Sequence, residues 1–301
     1  MSFFLAAATL GTWLDQTFAG FDMAVFRFFG SIQNDVLNVI AQIFTTMGSV
    51  LYAVLFAVFA IVLCFFKRTR KYGLALVFAI AIGTIVVNVI LKPMAFRIRP
   101  YNTLQNIPEY FGWYQSSGML AESDYSFPSG HTAVAVEIAM ALCLCFASDK
   151  KWKLAWIPPV AALLTALSRI YLMVHYATDV IVAVIIGVLA GIAGYFIGKA
   201  LTGVINRALE KRAAKAGDSP GRKPRRLFTS GQLAVTCIIA WLVIFTIAFI
   251  PTITGAYSLE ERCAYEGDYK CYNEAVVESS KYPPIDGKYY CKIHWNELNG
   301  K

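Results

Sequence analysis

Apolar residues run along this chain in long blocks. Six of them, at about 49–66, 72–91, 131–147, 154–174, 179–198 and 231–250, contain few or no charges. Each is close to the roughly 18 residues that a helix needs to cross a hydrocarbon core. The pattern before them is different. Leu14, Phe18, Phe21, Val25, Phe28 and Ile32 recur at alternating steps of four and three, which is one apolar stripe of a helix, while Asp15, Asp22 and Arg27 fall off it. The expected fold is therefore all-α: a polytopic bundle of six transmembrane helices, preceded over residues 1–35 by an amphipathic helix lying in the outer interface. The first residues lack a basic stretch and a cleavage site, so a secretory signal is not expected.

Charge orients the bundle. Lys67, Arg68, Arg70 and Lys71 lie between the first two blocks, and Lys150, Lys151 and Lys153 between the third and fourth. Lys199, Arg207, Lys211, Arg212, Lys215, Arg222, Lys223, Arg225 and Arg226 lie between the fifth and sixth. Every alternate loop is basic, which places these three in the cytoplasm. The net charge of +8 is thus a topology signal, and a nucleic-acid partner is not expected. By parity the loop 92–130, the turn 175–178 and both termini face outside. The expected divisions are the helix 1–35, a membrane core at 36–200, a flexible basic cytoplasmic loop at 201–230, a last transmembrane helix at 231–250 and an extracytoplasmic tail at 251–301. Composition agrees: 57% of residues are hydrophobic and 15% charged, with a mean hydropathy of +0.55. A soluble domain carries about 25% charge.

Polar groups are costly in a bilayer, so their clustering is informative. His131 and His175 fall at the outer ends of predicted spans, together with Lys92, Arg97, Arg99, Arg169 and Asp179. Any one of these could be a snorkelling cation or a helix cap. Gathered on one face, the cations suit a multiply charged anion such as phosphate. Phe127-Pro128-Ser129-Gly130-His131 ends a loop and opens a helix, whose N-terminal amides point at an anion, with Gly130 permitting close approach. His175 and Asp179 are four apart and share a face if helical. A carboxylate there can accept the Nδ1–H bond and leave Nε2 free as a nucleophile, with His131 left to protonate the leaving oxygen.

Three signatures now stand together: Lys92 through Arg99-Pro100 (KPMAFRIRP), Pro128-Ser129-Gly130-His131, and Ser168-Arg169 with His175 and Asp179 (SRIYLMVHYATD). In order and spacing they resemble the type 2 phosphatidic acid phosphatases, which share an active site with vanadium-dependent haloperoxidases. The resemblance covers about 36–200. It implies that Lys92, Arg99, Arg169, Ser129 and the Gly130 amide bind the phosphoryl group. It also implies that His175 attacks phosphorus, that Asp179 orients it, and that His131 protonates the leaving group and then activates water. It implies neither a metal nor any other cofactor, in keeping with the absence of clustered carboxylates in the outer loops. The partner it implies is a lipid phosphate in the bilayer of the cell membrane. Undecaprenyl diphosphate is the first choice, because an outward-facing site suits a carrier released outside; phosphatidate and phosphatidylglycerophosphate are the alternatives. A transporter would place charges near the midplane on broken helices with inverted repeats, and no repeat is found. A haloperoxidase is the third class, and six spans weigh against it.

Other features read as structure. Gly187, Gly191, Gly194 and Gly198 provide close packing within the chain in preference to a dimer face. Pro158 and Pro159 mark a kinked or displaced helix entry, and Glu137 an interior polar contact with a neighbouring helix. Cys64, Cys143, Cys145 and Cys237 sit in spans, while Cys263, Cys271 and Cys291 fall in the tail, where three thiols allow one pair at most. His294 has no partner at metal-ligand spacing and reads as a surface histidine.

Overall fold

The computed structural model describes residues 9–215, 230–253, 262–267, 270–277 and 280–299. Helix α1 (Leu10–Ser31) starts where the Thr9 side chain accepts from Thr12 N, and α2 (Asp35–Thr46) where Asn34 accepts from Leu37 N. Ser49 caps α3 (Val50–Cys64) in the same way through Tyr52 N. A bend of 43° separates α2 from α3. The first apolar block, 49–66, is α3, and the bend lies just before it. At 1.5 Å per residue α3 is about 22 Å long, short of the roughly 30 Å hydrocarbon thickness. Ser49 starts α3 afresh, and α2 and α3 are long and apolar enough to cross only when the bent pair is taken together.

Helix α4 (Arg70–Thr84) continues through a π-helical stretch, Ile85–Leu91, and a last turn, Lys92–Ala95. Helix α5 covers Gly130–Ser148, α6 Ile157–Tyr171, α7 Ala177–Lys215, α8 Ser230–Ile253 and α9 Lys292–Leu298. Pro158 and Pro159 occupy the first positions of α6, after a separate turn at Trp152–Ala155. A proline is tolerated there because the first helical N–H groups need no partner. Four helical segments are long and apolar enough to span a membrane, or five with the bent α2–α3 pair counted as one; α8 adds a shorter apolar stretch, Val235–Pro251. The protein is an all-helical membrane protein, with no strand among the described residues beyond three isolated bridges in the tail.

Two expected boundaries shift. Helix α7 is 39 residues long and runs well past 200 into the basic segment, because ALEKRAAK consists of strong helix formers. Residues 216–229 of the expected basic loop lie outside the described residues, as do the first eight residues of the expected N-terminal helix. The second shift concerns α1. Phe21, Phe28 and Ile32 of its apolar stripe are exposed, whereas Asp22, Phe26 and Gly30 are buried. Leu14 of the stripe is buried as well, so the face turned to the protein combines apolar residues with Asp22.

Helix α7 packs along α4 and α5, α5 also against α4 and α6, and α3 against α4. The glycines of α7 make this possible. A Cβ on Gly191 would lie 2.8 Å from Glu137 O and one on Gly194 2.8 Å from Ala79 Cα, so packing inside the chain uses them. At one end of the bundle the basic segments meet: Lys67 pairs with Glu210 at 3.0 Å, and Lys71 with Asp149. The N-termini of α5 and α7 and the C-termini of α4 and α6 gather at the other end. Described parts of the tail dock there too, with Glu274 N donating to Glu122 O at 3.1 Å and Lys292 N to Ser123 O at 3.2 Å.

Candidate active site

Among the largest fully buried side chains are Arg97, Arg99, Arg169 and His175. Buried charges persist only with partners, so their partners define the site. Arg99 holds its Nη1 3.1 Å from His175 Nε2 and donates to Val174 O at 3.1 Å. Its Nη2 reaches Asp124 Oδ1 at 2.6 Å, and Lys92 Nζ meets Asp124 Oδ2 at 2.5 Å. One carboxylate therefore bridges two cations, much as a phosphoryl group would. Arg169 donates to Thr45 Oγ1 at 2.5 Å and pairs with Glu122. Its Nε is buried with no hydrogen-bond partner among the described residues, a donor left over for a ligand.

The histidine environment follows from helix ends. His175 is in the turn before α7, not on the helix, so the expected shared helical face is not what brings it to Asp179. Asp179, in the first turn of α7, reaches back: its Oδ2 accepts from Tyr176 N at 3.2 Å and lies 3.4 Å from His175 Nδ1. This is the reciprocal half of a capping box. Ser126 Oγ also donates to Asp179 Oδ2, at 2.5 Å. With Nδ1 toward a carboxylate and Nε2 toward Arg99, the imidazole is oriented with Nε2 as the acceptor. Burial first, then Arg99, Arg169 and Lys92, push the His175 imidazole well below its usual range, so it is neutral at physiological pH.

Helix α5 begins at Gly130 as expected, with Ser129 as its cap; the serine oxygen accepts from Thr132 N and from Thr132 Oγ1 at 3.0 Å. A Cβ on Gly130 would lie 3.6 Å from Lys92 Nζ, so the helix N-terminus adjoins the cations. The His131 side chain is 16% exposed against 0–1% for Arg99, Arg169, His175 and Asp179, which puts it at the mouth of the site. Gly48, in the α2–α3 turn, backs it: a Cβ there would lie 2.6 Å from His131 Cα. All eight residues singled out from sequence thus come to one end of the bundle.

Sequence reading missed the groups between them. Glu122 Oε1 lies 3.6 Å from His131 Nδ1 as well as on Arg169. Burial alone would raise its carboxyl, but His131, Arg169 and Arg99 hold it down at about 2. Asp124 is likewise held well below the carboxylate range by Lys92 and Arg99, against burial. The loop between α4 and α5 does bring two carboxylates to the site, each engaged by cations. No periodicity marks them. Arg97, grouped from sequence with the other cations, sits instead among three carboxylates: Asp179 at 2.5 Å, Asp15 at 2.8 Å and Asp22 at 3.0 Å. Its guanidinium lies 3.7 Å over the Tyr176 ring. Asp22 also accepts from Thr178 N at 3.0 Å, tying α1 to the start of α7. The signal for Asp22 was its place off the stripe of α1.

Two expectations are corrected. Glu137 finds no polar contact: both carboxyl oxygens are buried without a partner among the described residues, against Gly83, which offers space but no donor. His294 is not on the surface but 2% exposed, beside Cys263 and Cys291, and the described cysteines are all free thiols. The spacing Cys291-x2-His294 was a ligand spacing overlooked because the other two cysteines are far away in sequence.

Residues 72–202, which hold all three signatures, match the PAP2 superfamily. It is this segment of the chain that resembles the family. Over 129 residues the chain is 36% identical to the undecaprenyl-diphosphatase of Sulfolobus acidocaldarius, a match that spans 42% of this chain and about half (54%) of that relative. It is 26% identical to the lipid A 4'-phosphatase of Bacteroides thetaiotaomicron, over 74% of this chain and 96% of that one. Among solved structures, a transmembrane PAP2-type phosphatidylglycerolphosphate phosphatase from Bacillus subtilis is 24% identical, with 65% of this chain and 92% of that chain covered and a TM-score of 0.49.

Proposed function

We propose that this protein hydrolyses a lipid phosphate or diphosphate through a phosphohistidine, without a metal in the reaction. The observation that carries the reading is His175: a buried neutral imidazole, oriented by Asp179 at 3.4 Å, that presents Nε2 to a cluster of three cations. The substrate phosphoryl group displaces Asp124 and Glu122 from Lys92, Arg99 and Arg169, and takes the Ser129 hydroxyl and the Gly130 amide as further donors. Nε2 of His175 forms a bond to phosphorus as the bond to the leaving oxygen breaks. His131, at the mouth, gives that oxygen its proton, then takes one from a water that cleaves the P–N bond. Glu122 supports His131 in both steps.

Undecaprenyl diphosphate is the preferred substrate, a reading supported by the diphosphatase relative; phosphatidate and phosphatidylglycerophosphate are the alternatives. The test is phosphate release by the purified protein from a panel of these lipids with EDTA present. Release from a polyprenyl diphosphate at a rate unaffected by EDTA is the expected result. Strict dependence on added magnesium, with substrate solubility controlled, would overturn the metal-free mechanism.

The protein crosses the membrane six times, with α2–α3 as the first span and α8 as the sixth, α1 in the outer interface, and the active site and tail outside. Support comes from the bundle's polarity: the basic segments share one end and the catalytic cluster the other. In intact cells, Asn106→Cys is expected to react with a membrane-impermeant thiol reagent and Asp218→Cys to be protected, read by peptide mass mapping. The reverse pattern would invert the topology.

A further inference from the structure

The tail carries a cluster that the catalytic chemistry leaves unused. Cys263, Cys271, Cys291 and His294 are each at most 5% exposed. Their ligand atoms all lie within 4.8 Å of one another. His294 Nδ1 is 3.3 Å from both Cys263 Sγ and Cys291 Sγ. Around a tetrahedral zinc ion, with Zn–S near 2.3 Å and Zn–N near 2.0–2.1 Å, neighbouring ligand atoms are about 3.5–3.8 Å apart. We propose that these four side chains bind one structural zinc ion that folds the tail.

Local structure builds the site from both sides. The segments 262–266 and 270–274 run antiparallel, joined by bridges Arg262–Glu274 and Glu266–Lys270; Cys263 lies opposite Asn273 and Cys271 opposite Tyr265, so the two cysteines are diagonal neighbours on one face. Cys291 caps α9 and His294 lies three residues further along it, on the same side. The outer groups are those that tune a metal ligand. The Tyr265 ring stacks on the imidazole at 3.8 Å with planes 4° apart, and Glu297 Oε2 lies 3.9 Å from Nε2, the ring nitrogen turned away from the sulfurs. Asn273 Nδ2 donates to Cys291 Sγ at 3.5 Å, as donors do to a metal thiolate. A disulfide would engage two thiols and leave the third and the imidazole converging on nothing.

The rest of the tail explains the need. Its described residues hold one seven-residue helix and isolated bridges around a small buried cluster in which three of the four members are these cysteines. So little apolar surface does not order a segment of this size without a crosslink or a metal. The zinc also has a structural reach toward the active site. Asn273, held to Cys291, accepts through Oδ1 from Tyr101 Oη and Asn102 Nδ2, both at 2.9 Å, just after Arg99-Pro100.

The test is metal analysis of the full-length untagged protein purified in detergent, with thiols followed by intact mass under non-reducing conditions. About one zinc per chain is expected, released as three thiols are titrated with an organomercurial. Cys263→Ser with Cys291→Ser should lose it, and His294→Cys, which keeps four ligands, should retain it. Wild-type protein with under about one-tenth of a zinc per chain, or with iron in its place, would overturn the proposal. So would a disulfide between any two of the three cysteines, or zinc that survives the double substitution.

Discussion

His175→Ala is expected to lower phosphate release by at least about ten-thousand-fold, roughly 5.5 kcal/mol of barrier, while leaving the protein folded. The reaction as proposed forms a bond from Nε2 to phosphorus, and among the described residues no second imidazole is hydrogen-bonded to Arg99 to take its place. The loss is specific to chemistry because His175 contributes few structural contacts: one from Arg99, and long ones to Asp179 and Ser126 at 3.4 Å each. Asp179 keeps Arg97, Ser126 and Tyr176 N without it. The assay pairs turnover with the thermal unfolding midpoint in detergent. Wild-type turnover in a well-folded variant would remove His175 from the mechanism. His131→Ala separates the two histidines: with a leaving group that needs no proton, such as p-nitrophenolate, it should still form the phosphoenzyme. The pH dependence follows from the depressed basicity of His175. The imidazole is protonated only well below its usual pKa of about 6.5, so phosphoenzyme trapping should not fall off around that pH. A loss centred near 6.5 would mean the nucleophile is solvated.

The parts of this fold legible in the sequence are those set by local chemistry. Apolar blocks gave the helices, and α5 starts at Gly130, within a residue of the expected block at 131–147. What was not legible depends on partners far along the chain. That α2 joins α3 across the break at 47–49 is set by its packing on α6 and α8, which hydropathy does not show. Glu122 and Asp124 lie in a loop without periodicity, and only the positions of Arg169, Arg99 and Lys92 make them part of the site. The tail cluster unites residues from 263 to 294. The eight candidate residues could be singled out because three motifs fix them locally, whereas the groups around them carry no such signature. Glu137, buried with unpartnered oxygens, has no physical account in the described contacts.

Arg97→Leu is expected to be the most destabilising single change near the site, although Arg97 touches no phosphoryl group in the proposed reaction. Its three nitrogens serve three carboxylates on two helices, Asp15 and Asp22 from α1 and Asp179 from α7. Asp22 and Asp179 are almost completely buried, so removing the guanidinium leaves two carboxylates repelling each other out of water. Breaking one side of a buried ion cluster costs about 3–5 kcal/mol. At roughly 2–4 °C per kcal/mol for a chain of this size, the unfolding midpoint in detergent should fall by about 6–20 °C. Arg97→Lys should rescue little, since a single ammonium cannot reach three acceptors that the planar fork serves at once. Arg97→Leu combined with Asp22→Asn should recover part of the loss, because one of the two buried charges is then gone. A single variant as stable as wild type, or a double variant no better than the single, would show that α1 is not held to α7 by this cluster. Under the first outcome Asp179 would also keep its orientation without Arg97, and His175 would depend on Ser126 and the turn of α7 alone.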